Sequence, residues 1–467
     1  MRTREIVRRT ARSAILSTAI ACCLGTLPAD ALSARTLPRR PAGGSILFVQ
    51  NCNDSGPGSL RDTVAQAVSG DSVDLAQMGC SLITLTSGAI EVQQDDLTIK
   101  YSNTTGRPTI SGEYLDRIFH HTGAGTLELD HLVVENGKYA PDQPPIVAGG
   151  CIESVAGSVT LNSSLVTRCD LEVVAGSGFS RAAGGGIHAG GSLSLDHSAI
   201  TYCRVYTADV TPVIYGGGAY ASQANISYST ISHNVASALH VGPYDHTDAR
   251  GGGLVVTNNI PRATSIDHTT ISNNAAYENG GLVVYSFYSN ATLTDVTIAD
   301  NSSIGSTGGA LLYTAATLRS VTVAGNDSGR APAALRIPPP LSVNLISTVV
   351  AGNSTEDPGG SQIAGAGAIS GDHNLVFGPV DVDLPPDTLM TDPLLLPLAD
   401  NGGETKTMAV RLGSPAIDAG ASSDDIQTDQ RGSGYVRVVG AAPDIGAFER
   451  QGPNDGDYIS VGGFDPP

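Results

Sequence analysis

The hydrophobic pattern of this chain repeats with a fixed internal spacing. An aliphatic residue, four positions, Ile or Val, two positions and a closing residue recur seven times without gaps: Leu161/Val166/Cys169, Leu195/Ile200/Cys203, Ile226/Ile231/Asn234, Ile266/Ile271/Asn274, Leu293/Ile298/Asn301, Leu318/Val323/Asn326 and Leu345/Val350/Asn353. Val133/Asn136 is an earlier copy, with its spacing to Leu129 shortened by one. Each copy reads as strand, bend, strand, stop. Upstream of the copies lie the pairs Gly149-Gly150, Gly185-Gly186, Gly217-Gly218, Gly252-Gly253, Gly280-Gly281 and Gly308-Gly309, with Ala333-Ala334 in place of the last. A recurrent glycine pair marks a recurrent tight corner, because glycine adopts backbone angles that a side chain forbids.

Successive corners are about 25 to 36 residues apart, which matches one solenoid coil of three short strands with corner loops of varying length. Long stretches of 3.6-residue periodicity are missing, which excludes a helical solenoid. The expected fold is therefore all-β: a right-handed parallel β-helix with an N-terminal capping helix and an irregular C-terminal cap. Asn234, Asn274, Asn301, Asn326 and Asn353 are expected to form a structural ladder, their amides bonding to backbone of the next coil. Cys169 and Cys203 occupy the ladder position in consecutive coils, where equivalent Cα atoms lie about 4.8 Å apart. That is within disulfide range, so they are expected to pair. Ser59-Leu60-Arg61-Asp62 opens an amphipathic helix through Val68, with Leu60, Val64 and Ala67 toward the first coil. Cys52 and Cys80 flank this helix and are expected to staple it, while the state of Cys151 is left open. The chain thus divides into an N-terminal cap and first coil (45–100), the coils (101–378), a C-terminal cap (379–450) and a polar tail (451–467). Leu394–Leu398 and Ala409–Ile417 are expected to close the far end.

Residues 1–31 differ from the rest. Arg2, Arg4, Arg8, Arg9 and Arg12 precede an apolar run from Ser13 to Leu27, and Ala29-Asp30-Ala31 supplies the small residues of a cleavage site. This is the form of an export signal, too short for a good membrane span. No later segment is long and apolar enough to cross a bilayer. An exported chain meets conditions in which its cysteines can form disulfides, and their spacing fits no zinc pattern. A formal net charge of −19 argues against a nucleic-acid partner bound through phosphates. No metal or cofactor is implied, and the expected state is a monomer.

Several stretches resemble the bacterial choice-of-anchor Q family. Near the start these are Asn53-Asp54-Ser55-Gly56-Pro57-Gly58-Ser59-Leu60-Arg61 and Ile83-Thr84-Leu85-Thr86-Ser87-Gly88. Near the end they are Asp400-Asn401-Gly402-Gly403-Glu404-Thr405, Gly413-Ser414-Pro415-Ala416-Ile417-Asp418-Ala419-Gly420, and Asp429-Gln430-Arg431-Gly432 with Asp444-Ile445-Gly446-Ala447-Phe448-Glu449. The resemblance implies a right-handed β-helix on or outside the bacterial cell surface; it implies no activity. Members usually continue into a sorting anchor. Here Glu449 is followed by a short polar tail similar to a brief D-x-I-F-x-x-G-F-D/E tag of exported proteins, with Ser460 in place of the tag's Phe. Secretion or loose surface association is the corresponding expectation.

Three features carry candidate chemistry. Alternation on the strand after each corner buries Ile187, Ala219, Leu254, Leu282 and Ala310 and turns His188, Tyr220, Val255, Val283 and Leu311 outward, with Tyr285 and Tyr313 two residues on. Such a stripe could stack sugar rings or receive a protein or matrix surface, or a loop or the C-terminal segment could cover it. Second, Asp245, Asp248 and Arg250 share a long insertion and are the residue types of β-helix polysaccharide lyases, which hold Ca²⁺ on carboxylates beside a basic residue. A solvated loop is the default account of them, since charge in a turn is ordinary. Third, Asp130-His131, Asp196-His197 and Asp267-His268 recur at one bend in coils that are not neighbours. The paired-carboxylate pattern of β-helix glycoside hydrolases, a P-loop, a nucleophile elbow and a metalloprotease motif are all missing. The leading expectation is non-catalytic binding to glycan, matrix or protein. The alternative is a lyase acting on acidic polysaccharide with Ca²⁺.

Overall fold

The computed structural model describes residues 44–452 and 455, except 104–105, 142–145, 174–180, 208–212, 239–247, 259–260, 366 and 423–424. Residues 1–31, where an export signal is expected, Asp245 and almost all of the polar tail lie outside the described residues. The fold is a parallel β-solenoid of about 10 turns. Coils pair in parallel, so like residues meet in columns. Leu161, Leu195, Ile226, Ile266, Leu293, Leu318 and Leu345 are successive partners. So are Val166, Ile200, Ile231, Ile271, Ile298, Val323, Val350 and Val376. All of these fill one continuous buried core, each aliphatic contributing roughly 1.5–3 kcal/mol by burial.

The asparagines stand in a column whose bonding is the same at each rung. Asn274 accepts from the Asn234 backbone N–H (3.0 Å) and Nδ2 (3.0 Å), and donates to Ile231 O (2.9 Å) and Asn301 Oδ1 (2.9 Å). The series runs on through Asn326 to Asn353, and Gln362 receives its last donors. Each asparagine faces the corner of its own coil. A Cβ at Gly218 would come 2.8 Å from Asn234 Nδ2, and one at Gly253 would come 2.9 Å from Asn274 Nδ2. The second glycine of the corner is therefore required by contact with the ladder.

That geometry corrects the cysteine pairing. Cys151 occupies the corner position that Gly186 fills in the next coil, as their neighbours Ile152 and Ile187 are partners. Its side chain points across at the ladder residue of its own coil, Cys169, and these two are joined, with Cα atoms 5.4 Å apart. Cys203 is left as a buried thiol, facing Gly186 in its own coil. Cys52 and Cys80 are joined. The capping helix spans Leu60–Gln66, with Ser59 as N-cap accepting from Asp62 N, and Leu60, Val64 and Ala67 are buried against the first coil.

Two features lie beyond the aliphatic motif. A second sheet adds one strand after each closing residue, running through Lys138–Tyr139, Asp170–Val173, Arg204–Thr207 and Val235–Ala238 and on to Ser354–Thr355. A third runs through Ile146–Ala148, Arg181–Ala183, Val213–Tyr215 and Asp248–Arg250. Leu171, Val205 and Ala236 of the one pack on Val147, Ala182, Ile214 and Ala249 of the other, forming a flange with its own small core. At the C-terminal end Val380, Val382 and Leu384 pack against the last coil, and Leu389 pairs with Leu375. The chain then turns back along the outside of the stack. Ala409, Val410, Ala416, Ile445 and Phe448 bury against the outward residues Val349, Ala351 and Leu375. Leu394–Leu398 and Ala409–Ile417 thus belong to a lateral strap rather than to an end plug.

Replacing Asn274 by Ala leaves Ile231 O and Asn234 N without partners in a buried site, so unfolding free energy should fall by roughly 2–4 kcal/mol, measured by chemical denaturation. Non-reducing peptide mapping should recover Cys151 linked to Cys169. Burial pushes the Cys203 thiol up to about 12, so Cys203 should alkylate only after unfolding. A Cys169–Cys203 peptide would contradict this topology.

Candidate binding surfaces

Parallel register also stacks the outward side chains. The row on the strand after each corner runs Glu91, His120, Glu153, His188, Tyr220, Val255, Val283 and Leu311. Its first part is charged. His120 Nδ1 lies 2.8 Å from Glu91 Oε2, and His120 Nε2 lies 3.7 Å from Glu153 Oε2. Arg117 pairs with Glu153 and lies 3.4 Å over the Tyr139 ring. The row therefore holds an oriented imidazole between two carboxylates. The same alternation that places Ile187 inward and His188 outward, applied one coil earlier at Ile152 and Glu153, was the signal for Glu153. Nothing in the repeat marks Arg117 or His120.

The middle of the row is covered, which removes Tyr220 as an open binding residue, and the cover is neither a corner loop nor the C-terminal segment. Tyr220, Val255, Val283 and Leu311 are buried in one apolar group with Ala183, and half-buried Tyr215 packs against it. Ala183 and Tyr215 belong to the flange, which provides this cover. Tyr220 stacks on His188 at 5.3 Å, and its hydroxyl meets Arg181 Nη2 (2.9 Å) and Thr257 Oγ1 (2.5 Å). Burial first, then the nearby Arg181 charge, pushes His188 down to about 4, so it is neutral at neutral pH.

The row reopens at an aromatic ledge. Tyr285 and Tyr313 are register partners whose rings stack at 4.4 Å, with an interplanar angle of 10°. Phe287 stands edge-on to both, at 5.2 and 5.1 Å. Phe287 is 57% and Tyr288 67% exposed. These residues lie where the strand Leu282–Ala299 bulges: the pairing passes from Tyr285 to Asn290 while its partner passes from Tyr313 to Ala315. Buried Ser286 closes the bulge, its Oγ accepting from Ser289 N (3.1 Å) and meeting Ser289 Oγ (2.7 Å). Thr314 Oγ1 donates to Ser289 O (2.6 Å).

Arg250 ends the fourth strand of the third sheet and pairs with Glu278 of the next coil at 3.3 Å. Asp248 is in the same strand, and Asp245 lies outside the described residues. The Asp-His pairs sit at a bend where His131, His197, His268, Asp295 and their counterparts all have positive φ, which His and Asp tolerate better than most residues. Tyr228, at the same bend of the intervening coil, stacks on His197 at 5.0 Å and lies tilted against His268 at 4.5 Å. Two of the three pairs are thereby connected. Asp267, His268 and Asp295 come together under the strap, and burial pushes Asp295 up to about 7.

The strap is held by its own buried polar knot. Arg431 forks onto Asp429 (3.0 and 2.8 Å), donates to Glu449 O, and lies between the Tyr435 and Phe448 rings. Gln430 bridges the strap to the coils through Thr297 Oγ1 (2.6 Å) and Thr270 Oγ1 (2.9 Å). Glu449 accepts from Val439 N and Asp444 N. Burial, then the neighbouring Asp444 charge, pushes Glu449 up to about 8.

Neither a protein-family model nor a curated protein matches this chain. Among solved structures, the crystal structure of the pectate lyase Pel9A aligns with 88% of this chain and 97% of its own, at a TM-score of 0.48 and 12% sequence identity.

Glu449 ionises near 4.5 in the unfolded chain and near 8 in the native one. The native state thus binds the extra proton, and the stability it contributes is complete below pH 4.5 and lost as pH rises through 8. Denaturation midpoints should fall between pH 5 and 8, and Glu449→Gln should flatten that fall. An unchanged slope in the variant would refute the assignment.

Proposed function

We propose that this is an exported β-helix protein that binds a neutral glycan, without turning it over, on the ledge formed by Tyr285, Phe287, Tyr288 and Tyr313. One observation carries the reading: a stacked, half-buried tyrosine pair stands beside the exposed, edge-on Phe287 on a bulge fixed by part-buried hydrogen bonds. Sugar rings present C–H faces that pack on aromatic planes, and rings held rigidly lose little freedom on binding. A net charge of −19 disfavours a polyanionic ligand at long range. The two disulfides suit an oxidising compartment, and among the described residues no helix is long and apolar enough to cross a membrane. His188 and Tyr220 serve the ledge only indirectly, by anchoring the flange. The lyase alternative has weaker support, since Arg250 is engaged by Glu278.

Purified protein should bind neutral oligosaccharides such as cello-, xylo- or chito-oligomers in calorimetry, with no release of reducing ends or unsaturated product. Tyr285→Ala and Phe287→Ala should each weaken binding roughly tenfold, the scale of one lost stacking contact, while leaving the circular dichroism spectrum intact. Turnover of uronate polymers dependent on Ca²⁺ and abolished by Arg250→Ala would replace this reading with the lyase.

A further inference from the structure

Asp295 is fully buried, and neither of its carboxylate oxygens has a hydrogen-bond partner. Its neighbours at the same bend in the following coils are serines, Ser320 and Ser347, so the fold does not require an acid here. The nearest cation is Arg437 of the strap, whose Nη1 stops 3.8 Å away. Arg437 is held back there because its Nη2 donates to Asp444 O (2.7 Å) and Gly446 O (2.8 Å). Asp267 and His268, from the preceding coil, complete the pocket: one donor atom from each of the three residues lies within 4.8 Å of the others. His268 Nδ1 is 2.8 Å from Asp267 Oδ2, and Nε2 is 3.2 Å from Thr428 Oγ1 of the strap.

A buried carboxylate without donors is costly, and a neutral carboxyl would equally need an acceptor for its proton. Asp295 itself is sealed from water with one guanidinium held off at 3.8 Å, and the half-exposed Asp267 carboxylate beside it adds a second negative group. Hence we infer that Asp267, His268 and Asp295 bind one divalent transition cation of the Zn²⁺ or Mn²⁺ class beneath the strap. An imidazole with two carboxylates suits such ions better than Ca²⁺, which takes six to eight oxygens. The cation satisfies Asp295, offsets the excess charge, and fixes the bend on which Thr428 and Arg437 of the strap rest. The site is independent of the aromatic ledge, and its ligand role is structural.

The test uses the full secreted chain, stripped with chelator and then dialysed against Zn²⁺ or Mn²⁺. Elemental analysis should find about one equivalent per chain, with a raised melting temperature on metal addition. Co²⁺ should give visible d–d absorption characteristic of a nitrogen- and oxygen-ligated ion. Asp295→Asn and His268→Gln should each weaken the metal at least roughly tenfold. Asp372→Asn, which alters the exposed Asp372–His373 pair at the same bend, should not. Should either site variant fail to fold, the Co²⁺ spectrum of the native chain decides alone. Substoichiometric metal with no Co²⁺ spectrum, or metal retained fully in Asp295→Asn and His268→Gln, would overturn the proposal and leave a pocket that holds only a water or a proton.

Discussion

Everything in this molecule depends on parallel register between coils. Because each strand pairs with the equivalent strand one turn away, a residue meets its own counterpart above and below. Inside the tube this makes columns of Leu, Ile and Val that exclude water along the whole stack. Outside, the same rule makes rows, and rows become surfaces: a charged row around His120, a sealed apolar row around Val255, an aromatic ledge at Tyr285 and Tyr313. One substitution therefore changes a patch shared by several coils rather than an isolated point. Function on such a scaffold arises wherever the row is left open.

The corner and the ladder are a second, reciprocal constraint. The inner corner position and the closing position of one coil face each other, so their side chains share one space. Glycine with asparagine fills it in Gly218/Asn234 and Gly253/Asn274, cysteine with cysteine fills it in Cys151/Cys169, and Gly186/Cys203 is the intermediate case. Ladder asparagines then carry hydrogen bonds from coil to coil, whereas the disulfide closes a single coil.

The rungs of the solenoid were readable because aliphatic spacing, glycine corners and closing asparagines are local signals with fixed offsets. The capping helix was readable for the same reason, from Ser59 and the apolar positions Leu60 and Val64. Distance between coils alone favours Cys169 with Cys203, but the ladder side chain points at its own corner, and that direction decides for Cys151. The flange is less legible: Leu171 and Val205 stand two residues after the closing cysteines and Ile214 two before the corner glycine Gly216, but their burial depends on two sheets meeting face to face. That meeting also buries Tyr220, which alternation alone turns outward. Thr270, Thr297 and Thr322 resemble solvent-facing positions, yet they are covered because Gln430 and Ala447 arrive from more than 100 residues later. Asp295 is likewise inconspicuous in the sequence, since Arg437 and His268 give it its setting. Tyr285 and Tyr313 were identified from the repeat, but Phe287 and Tyr288 ride on a bulge that interrupts it.

In the strap, Asp429-Gln430-Arg431 and Asp444 to Glu449 interlock in one buried knot. Those residues serve docking of the strap, and the ledge lies apart from them on the open row. The most direct measurement of the central claim is hydrogen–deuterium exchange with and without a saturating neutral oligosaccharide. Slowed exchange confined to residues 284–290 and 312–317 is the result this account predicts. Protection centred on the charged row at His120 and Glu153, or on the strap, would contradict it.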